Sequence, residues 1–437
     1  MNKFSIFQII IMVIFGFAGI IAVLVFSGFL PGYKNQGGSG GPKTEVFMWG
    51  ALPEKKIKPI ISEINDDDNN SFKINYLEKN PVSYKNDLVN ALASGKGPDF
   101  MIMTQDMILE NKDRIFLVPF ASYPEGDFKD DFINSAELFI NAADGGVVGV
   151  PLLVDPLVLY WNKDLFASAG ISRPPQYWDE EFLEDIKKLT IVNEAGNVTQ
   201  AGIALGEFAN IRNAKDILST LILQAGNPII KSDTSDIILG EGGAAEAAVK
   251  FFNEFSNPGK KIYSWNESLP VSDSMFVKGA LGMYLGYASE RESIEGRNPH
   301  LNFDAAELPQ IKGGKIKATF GRMYSLAILK NSPDKTAAFA AILALTGKKA
   351  SKAFSENVNM GSARRDVLSE GTGNPALSLV YKMSVMSRAW LEPDAQEVFK
   401  IFKDMVESSS SGSMSIAEAV KLAKDRLEKL LDDVLEK

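Results

Sequence analysis

The sequence predicts an α/β protein: a mostly parallel sheet with helices on its faces, preceded by an apolar helix long enough to span a membrane. Three observations carry this. Residues 44–106 alternate strand and helix patterns in the order βαβαβ. The alternation resumes at "VLYWNKDLF", residues 158–166. Phe4–Leu30 contains no charged residue at all.

Within Phe4–Leu30 the only polar breaks are Ser5, Gln8 and Ser27. As a helix the run would be about 40 Å long, against a hydrocarbon core of roughly 30 Å. Lys3 precedes it, and Lys34 and Lys43 follow, a flank that favours an inside N-terminus. A secretory signal would be shorter and end in a small-x-small cleavage site, which "VLVFSGFLPG" offers poorly. Segment 4–30 therefore reads as an uncleaved anchor rather than a cleaved signal, and both readings put the remaining chain outside the cytoplasm. Residues 31–43, "PGYKNQGGSGGPK", form a flexible linker with a root-mean-square reach of roughly 20 Å.

"TEVFMWG" (44–50) reads as a buried strand and "KKIKPIISEINDDD" as an amphipathic helix ending in an acidic turn. "SFKINYLEK" (71–79) alternates as a second strand. "SYKNDLVNALASG" (83–95) has helical spacing, and "GPDFMIMTQD" (97–106) is a strand entered through Gly-Pro. Later strands are "GIALGE" (202–207), "ALGMYLGYAS" (280–289) and "SLAILK" (325–330). Helices are expected at 213–226, 244–255 and 332–347, the last with Ser332 as N-cap and Gly347 as its end. In the tail, Ser415 and Glu418 form a capping box. Ile416, Val420, Ala423, Leu427, Leu431 and Val434 then make one apolar stripe. No repeat of 20–50 residues is present, so a solenoid is not expected.

With 437 residues the chain is long enough for two or three domains, or for two lobes built from discontinuous segments. A formal charge of −9 argues against a nucleic-acid partner. The absence of cysteine removes disulfides, thiolate catalysis, Cys-based zinc sites and lipidation through an N-terminal Cys. The single histidine, His300, rules out a multi-His metal site and reads as a solvent-side loop residue. No cofactor is expected.

Several segments, in order, resemble the extracellular solute-binding proteins of sugar-type ABC importers. The most specific is "GVPLLVDPLVLYWNKDLFASAGISRPPQYWDE", in which Asn162, Lys163, Asp164 and Leu165 follow a Tyr-aromatic pair. "GKGPDFMIM", "MFVKGALGMYLGYAS", "AWLEPDAQEVF" and the tail helix add weaker pieces, so the likeness covers residues 44–437. The lipobox Cys of that family is missing. The resemblance implies a periplasmic-binding-protein-like fold: two α/β lobes, a hinge and an interlobe cleft that holds the ligand. Lobe one would hold 44–153 plus 305–355, and lobe two 156–302 plus 356–437. "PLLVDP" would then be a hinge strand, with Asp155 where apolar packing meets bound solute.

Open α/β sheets place ligands beyond the carboxyl ends of strands, and sugars favour planar polar groups and flat aromatics. Trp49 ends the first strand and is a stacking candidate, or equally a packing tryptophan. Gln105 and Asp106 follow the third strand; Asp106 serves as well as a helix cap. Asp155 needs donors in its apolar run, from ligand hydroxyls, a cation or hinge amides. Tyr287 sits between Gly286 and Ala288, where a ligand could approach the backbone. Gly321 and Arg322 fall just before a strand; Arg322 could grip an anion or pair with a surface acid. Trp390, in "SRAWLEP", is the second stacking candidate.

The resemblance, with these residues, implies a monomeric receptor for a small solute, most simply an oligosaccharide, delivered to an ABC permease in the membrane. A tethered glycoside hydrolase would instead use paired carboxylates, such as Asp155 with Glu290 or Asp106. No nucleophile elbow, P-loop or His-rich metal motif supports an enzyme. A sensor of the same fold without transport is the other alternative.

Overall fold

A computed structural model describes residues 43–231 and 236–436. The anchor expected at 4–30 and the linker at 31–43 lie outside these residues, apart from Lys43. Among the described residues no helix is long and apolar enough to cross a membrane.

The first α/β unit forms as its patterns dictate. Strand β1 (Thr44–Gly50) pairs in parallel with β2 (Phe72–Glu78), from Thr44 opposite Phe72 to Gly50 opposite Glu78. Between them, helix α1 (Glu54–Asp66) buries Ile57, Ile60 and Ile61, the i, i+3, i+4 set of one helix face. Helix α2 (Tyr84–Ala93) leads to β3 (Phe100–Thr104), "FMIMT", whose first four residues are all buried. Such an unbroken apolar run is what a strand covered on both faces requires. Asp99, at its entrance, is a buried tie: it accepts from Phe47 N–H (2.8 Å) and from Ser332 Oγ–H (2.7 Å).

The long strand β4 (Val150–Asn162) organises the rest, and every residue from Val150 to Tyr160 is buried. Its course is followed by β5 (Val198–Ile203), α3 (Ala214–Gln224), α4 (Ala244–Asn253), β6 (Leu281–Tyr287), β7 (Phe303–Ala306) and β8 (Thr319–Ile328). Residues Val150–Pro156 of β4 pair antiparallel with β8, whereas Leu157–Trp161 pair antiparallel with β6. Pro156, which has no N–H to give a ladder, falls at the change of partner. Asp155 is beside it, so one strand belongs to both halves of a two-lobed body.

Two expectations are corrected here. The sheet is mixed, in the order β2-β1-β3-β8-β4-β6-β5: parallel at β1–β2, β1–β3 and β6–β5, antiparallel around β4 and β8. The two long strands run between the halves in opposite directions, which parallel crossovers cannot supply. Second, β8 starts at Thr319, not Ser325, so Gly321 and Arg322 lie inside the strand rather than before it.

The longer helices after β8 are α5 (Lys335–Thr346), α6 (Lys348–Val358), α7 (Pro375–Val385), α8 (Ala395–Ser410) and α9 (Ile416–Leu435). The N-cap of α5 is Asp334, whose carboxylate accepts from Ala337 N–H (2.8 Å); Ser332 is instead spent on Asp99. At α9 the capping box of Ser415 and Glu418 is present as expected, and Val420, Ala423, Leu427 and Leu431 of the stripe are buried.

Candidate functional site

A cleft of about 870 Å³ opens between two walls. One wall comes from the loop into α1 (Ala51–Pro53) with Lys55 and Lys56, from the start of α2 (Tyr84, Lys85), from Thr104 at the end of β3 with Asp106 and Glu110 beyond it, and from Arg322 and Tyr324 of β8, the strand paired with β3. The other comes from Ser289, Glu292 and Ser293 beyond β6 and from Asp394–Gln396 at the start of α8, and Val358 and Met360 at the end of α6 also line the cleft. The cleft sits beyond the ends of β1, β3 and β6, as an open α/β sheet favours, and against the middle of β8.

The polar groups facing it fall into two sets. At the mouth, ions pair off: Lys56 with Glu292, and Lys85 with Glu110 (2.5 Å) and Asp394 (3.5 Å). Deeper, Asp106 and Arg322 are not paired in this way. The buried Oδ1 of Asp106 has no hydrogen-bond partner. The Arg322 guanidinium lies 4.1 Å over the Tyr287 ring, and its ion pair with Asp216 Oδ2 is 4.0 Å long, beyond hydrogen-bond reach. Arg322 and Tyr324, two residues apart on β8, share one face of the strand.

Behind this surface lies a buried ionic core. Lys215, near the start of α3, lies 3.2 Å from Asp216 and against Glu392. Tyr287 donates its hydroxyl proton to Asp216 Oδ2 at 2.6 Å. Burial pushes the Glu392 carboxyl up to about 7; Lys215 pulls it back, while Asp106 and Asp216 push it further. Burial alone would lower the Lys215 ammonium, but Asp216 and Glu392 more than reverse this and hold it above its ordinary value.

Asp155 is fully buried, and what meets it is Ser289. The Ser289 backbone N–H donates to Oδ1 (3.1 Å) and its hydroxyl to Oδ2 (2.6 Å). Burial lifts this carboxyl to about 6, with the Ser289 hydroxyl and then Arg322 as the main opposing influences. Asp155 thus fixes a residue of the cleft wall from beneath.

Of the eight candidates, the structure brings Asp106 and Arg322 to the cleft surface. The other six do not line it. Trp49 is buried with the Lys79 ammonium 3.7 Å over its ring. Gln105 accepts from Met323 N–H (2.8 Å) through its side-chain oxygen, tying the turn after β3 to β8. Tyr287 supports Arg322 from below. A Cβ at Gly321 would meet Ser387 Oγ at 2.4 Å, so the small residue serves close packing rather than ligand approach. Trp390 is buried and stacked on Phe402. Sequence reasoning missed Tyr324, Ser289, Lys215 and Glu392. The first was legible from its period-two spacing with Arg322; the last three had no local signal.

The mixed sheet, the strand shared between halves and the cleft beside it define a two-lobed solute receptor. Residues 50–352 match the family of bacterial extracellular solute-binding proteins, and the chain belongs to that family. Relatives include the maltodextrin-binding protein MdxE of Bacillus subtilis, 25% identical over 292 residues (66% of this chain, 65% of that one). Another is a maltooligosaccharide ABC transporter solute-binding lipoprotein of Streptococcus pneumoniae, 23% identical over 358 residues (76% and 77%). In fold, the chain matches the cyclic alpha-maltosyl-1,6-maltose binding protein of Arthrobacter globiformis with a TM-score of 0.74 at 19% identity, covering 90% of this chain and 100% of that one. The family is one of binding proteins and not of enzymes, which removes the hydrolase alternative.

Proposed function

We propose that this protein binds a carbohydrate in the cleft, outside the cytoplasm, and delivers it to an ABC permease. The observation that carries the reading is that Asp106 and Arg322 line one cleft, with Tyr84 and Tyr324 beside them. A sugar hydroxyl can donate to the carboxylate and accept from the guanidinium, and both planar groups gain strength from their charge. The relatives named for maltodextrin and maltooligosaccharide support the same reading. The lobes are proposed as 44–153 plus 305–355 and 156–302 plus 356–437, with 4–30 as the membrane anchor, 31–43 as the tether, and a monomeric receptor. Asp155, Trp49, Gln105, Tyr287, Gly321 and Trp390 then hold the cleft's shape, while Asp106 and Arg322 touch solute.

The test is a thermal-shift screen of the full-length chain, in mild detergent, against a saccharide and metabolite library. A ligand raises the melting temperature in step with its excess over the dissociation constant. For the saccharide that does so, Asp106→Ala and Arg322→Ala are each expected to weaken binding about tenfold to a hundredfold by titration calorimetry. Shifts with non-carbohydrate solutes alone, or wild-type affinity in both variants, would overturn the reading.

A further inference from the structure

The charges beneath the cleft do not balance. Four carboxylates gather there: Asp106, Asp155, Asp216 and Glu392. Among the described residues, Lys215 and Arg322 are the cations that face these four, while Glu290, which also repels Asp155, is met by Arg212 at 4.0 Å. Asp155 is satisfied by Ser289; Asp216 Oδ2 accepts from Tyr287, and its Oδ1 makes no hydrogen bond but lies 3.2 Å from the Lys215 ammonium. Asp106 Oδ1 and Glu392 Oε2 remain, both buried and without a hydrogen-bond partner. Glu392 is fully buried, and its other oxygen is taken by Lys215. A buried carboxylate in this condition is unfavourable until a proton or cation meets it. Burial raises the Glu392 carboxyl, and repulsion from Asp106 and Asp216 adds to this against the pull of Lys215.

The mouth has no such shortage, because Lys56 and Lys85 are matched there by Glu292, Glu110 and Asp394. The unmet negative charge is confined to the floor, and Asp106 is the one of the four acids that lines the cleft. Among the described residues no group of three or more acidic or histidine side chains is placed to hold a metal ion. An anionic solute would add to the excess. A neutral sugar would leave it as it is. An organic ammonium would cancel part of it.

Resting on the carbohydrate reading above, we infer that the solute is a saccharide bearing a protonated amine, with the ammonium on Asp106 and ring oxygens facing Arg322 and Ser289. The amine replaces a neutral donor by a charged one at an acceptor that has no other partner.

Calorimetry on the full-length chain in mild detergent tests this with matched sets: glucosamine and its short oligomers, their N-acetylated forms, the neutral glucose counterparts and the corresponding uronic acids. At a pH where the amine is protonated, the amine set is expected to bind about tenfold or more tightly than the N-acetylated and neutral sets. Asp106→Asn should abolish that preference. The wild-type ranking decides the matter even if the variant fails to fold. Equal or tighter binding of the N-acetylated, neutral or acidic sets overturns the amine inference and leaves the carbohydrate reading standing. Failure of every saccharide, with a non-carbohydrate solute bound, overturns both.

Discussion

Glu392 holds its proton more tightly in the folded chain than in the unfolded one, because burial and its acidic neighbours lift it from 4.5 to about 7. The folded state therefore binds more protons between these two values, and stability must fall as pH rises through that window. Fully developed, above pH 7, the penalty is about 3 kcal/mol. Asp155 adds a smaller effect of the same sign between 3.8 and about 6. The melting temperature of the wild type is expected to rise from pH 7.5 to pH 5.5, and Glu392→Gln should flatten most of that rise. An unchanged slope in the variant would mean that Glu392 is not the group taking up the proton. This residue shows what a sequence can say about a site. Asp155 was singled out because a lone acid in an apolar run needs donors, and Ser289 does meet it. Nothing local marked Glu392 or Lys215. They are 177 positions apart and become a pair only when α3 and the segment before α8 pack together. Arg322 carried a signal, and its partner on the strand, Tyr324, followed from simple alternation.

At the scale of elements, two glycines let helix and strand backbones approach each other around the shared strands. Gly361, in the short strand Gly361–Ser362, pairs with Val154 of β4. A Cβ there would fall 1.9 Å from Ser384 Oγ and 2.8 Å from its Cβ, on helix α7. Gly361→Ala is therefore expected to destabilise the body by about 1–3 kcal/mol through overpacking. Gly361→Ala with Ser384→Gly should recover most of the loss in a denaturant titration. Additive losses would show that the glycine is needed for backbone freedom rather than space. Elements with a strong internal period were legible: β1, α1, β2, α2, β3 and the capped α9. Strand direction was not. The antiparallel ladders of β8 with β3 and β4 join residues more than a hundred positions apart, so no local pattern records them. The start of β8 was missed for the same reason as the role of Gly321. A glycine next to an arginine looks like a loop until Ser387 is seen filling the space beside it.

The whole molecule turns on the two strands that join its halves. β4 changes partner at Pro156, and β8 passes from the neighbourhood of β3 to that of Asp155. Across the cleft, side-chain ion pairs such as Lys56–Glu292 and Lys85–Asp394 link residues of the two proposed lobes. Pairs this exposed contribute roughly 0–1 kcal/mol each, too little to lock the walls together. A solute touching both walls has a higher affinity for the form in which they are close, and its binding must shift the population toward that form. The chain has no cysteine, so two introduced ones can be labelled without background. Asp66→Cys at the end of α1 and Lys278→Cys ahead of β6 are exposed positions outside the cleft, one in each proposed lobe. Spin labels there are expected to give a broad distance distribution without solute. At saturation it should become shifted and narrower, and Arg322→Ala should need proportionally more solute to reach the same end state. A distribution that does not move, under conditions where calorimetry records full occupancy, would mean that solute binds to a rigid cleft and that β4 and β8 act as a fixed beam instead of a hinge.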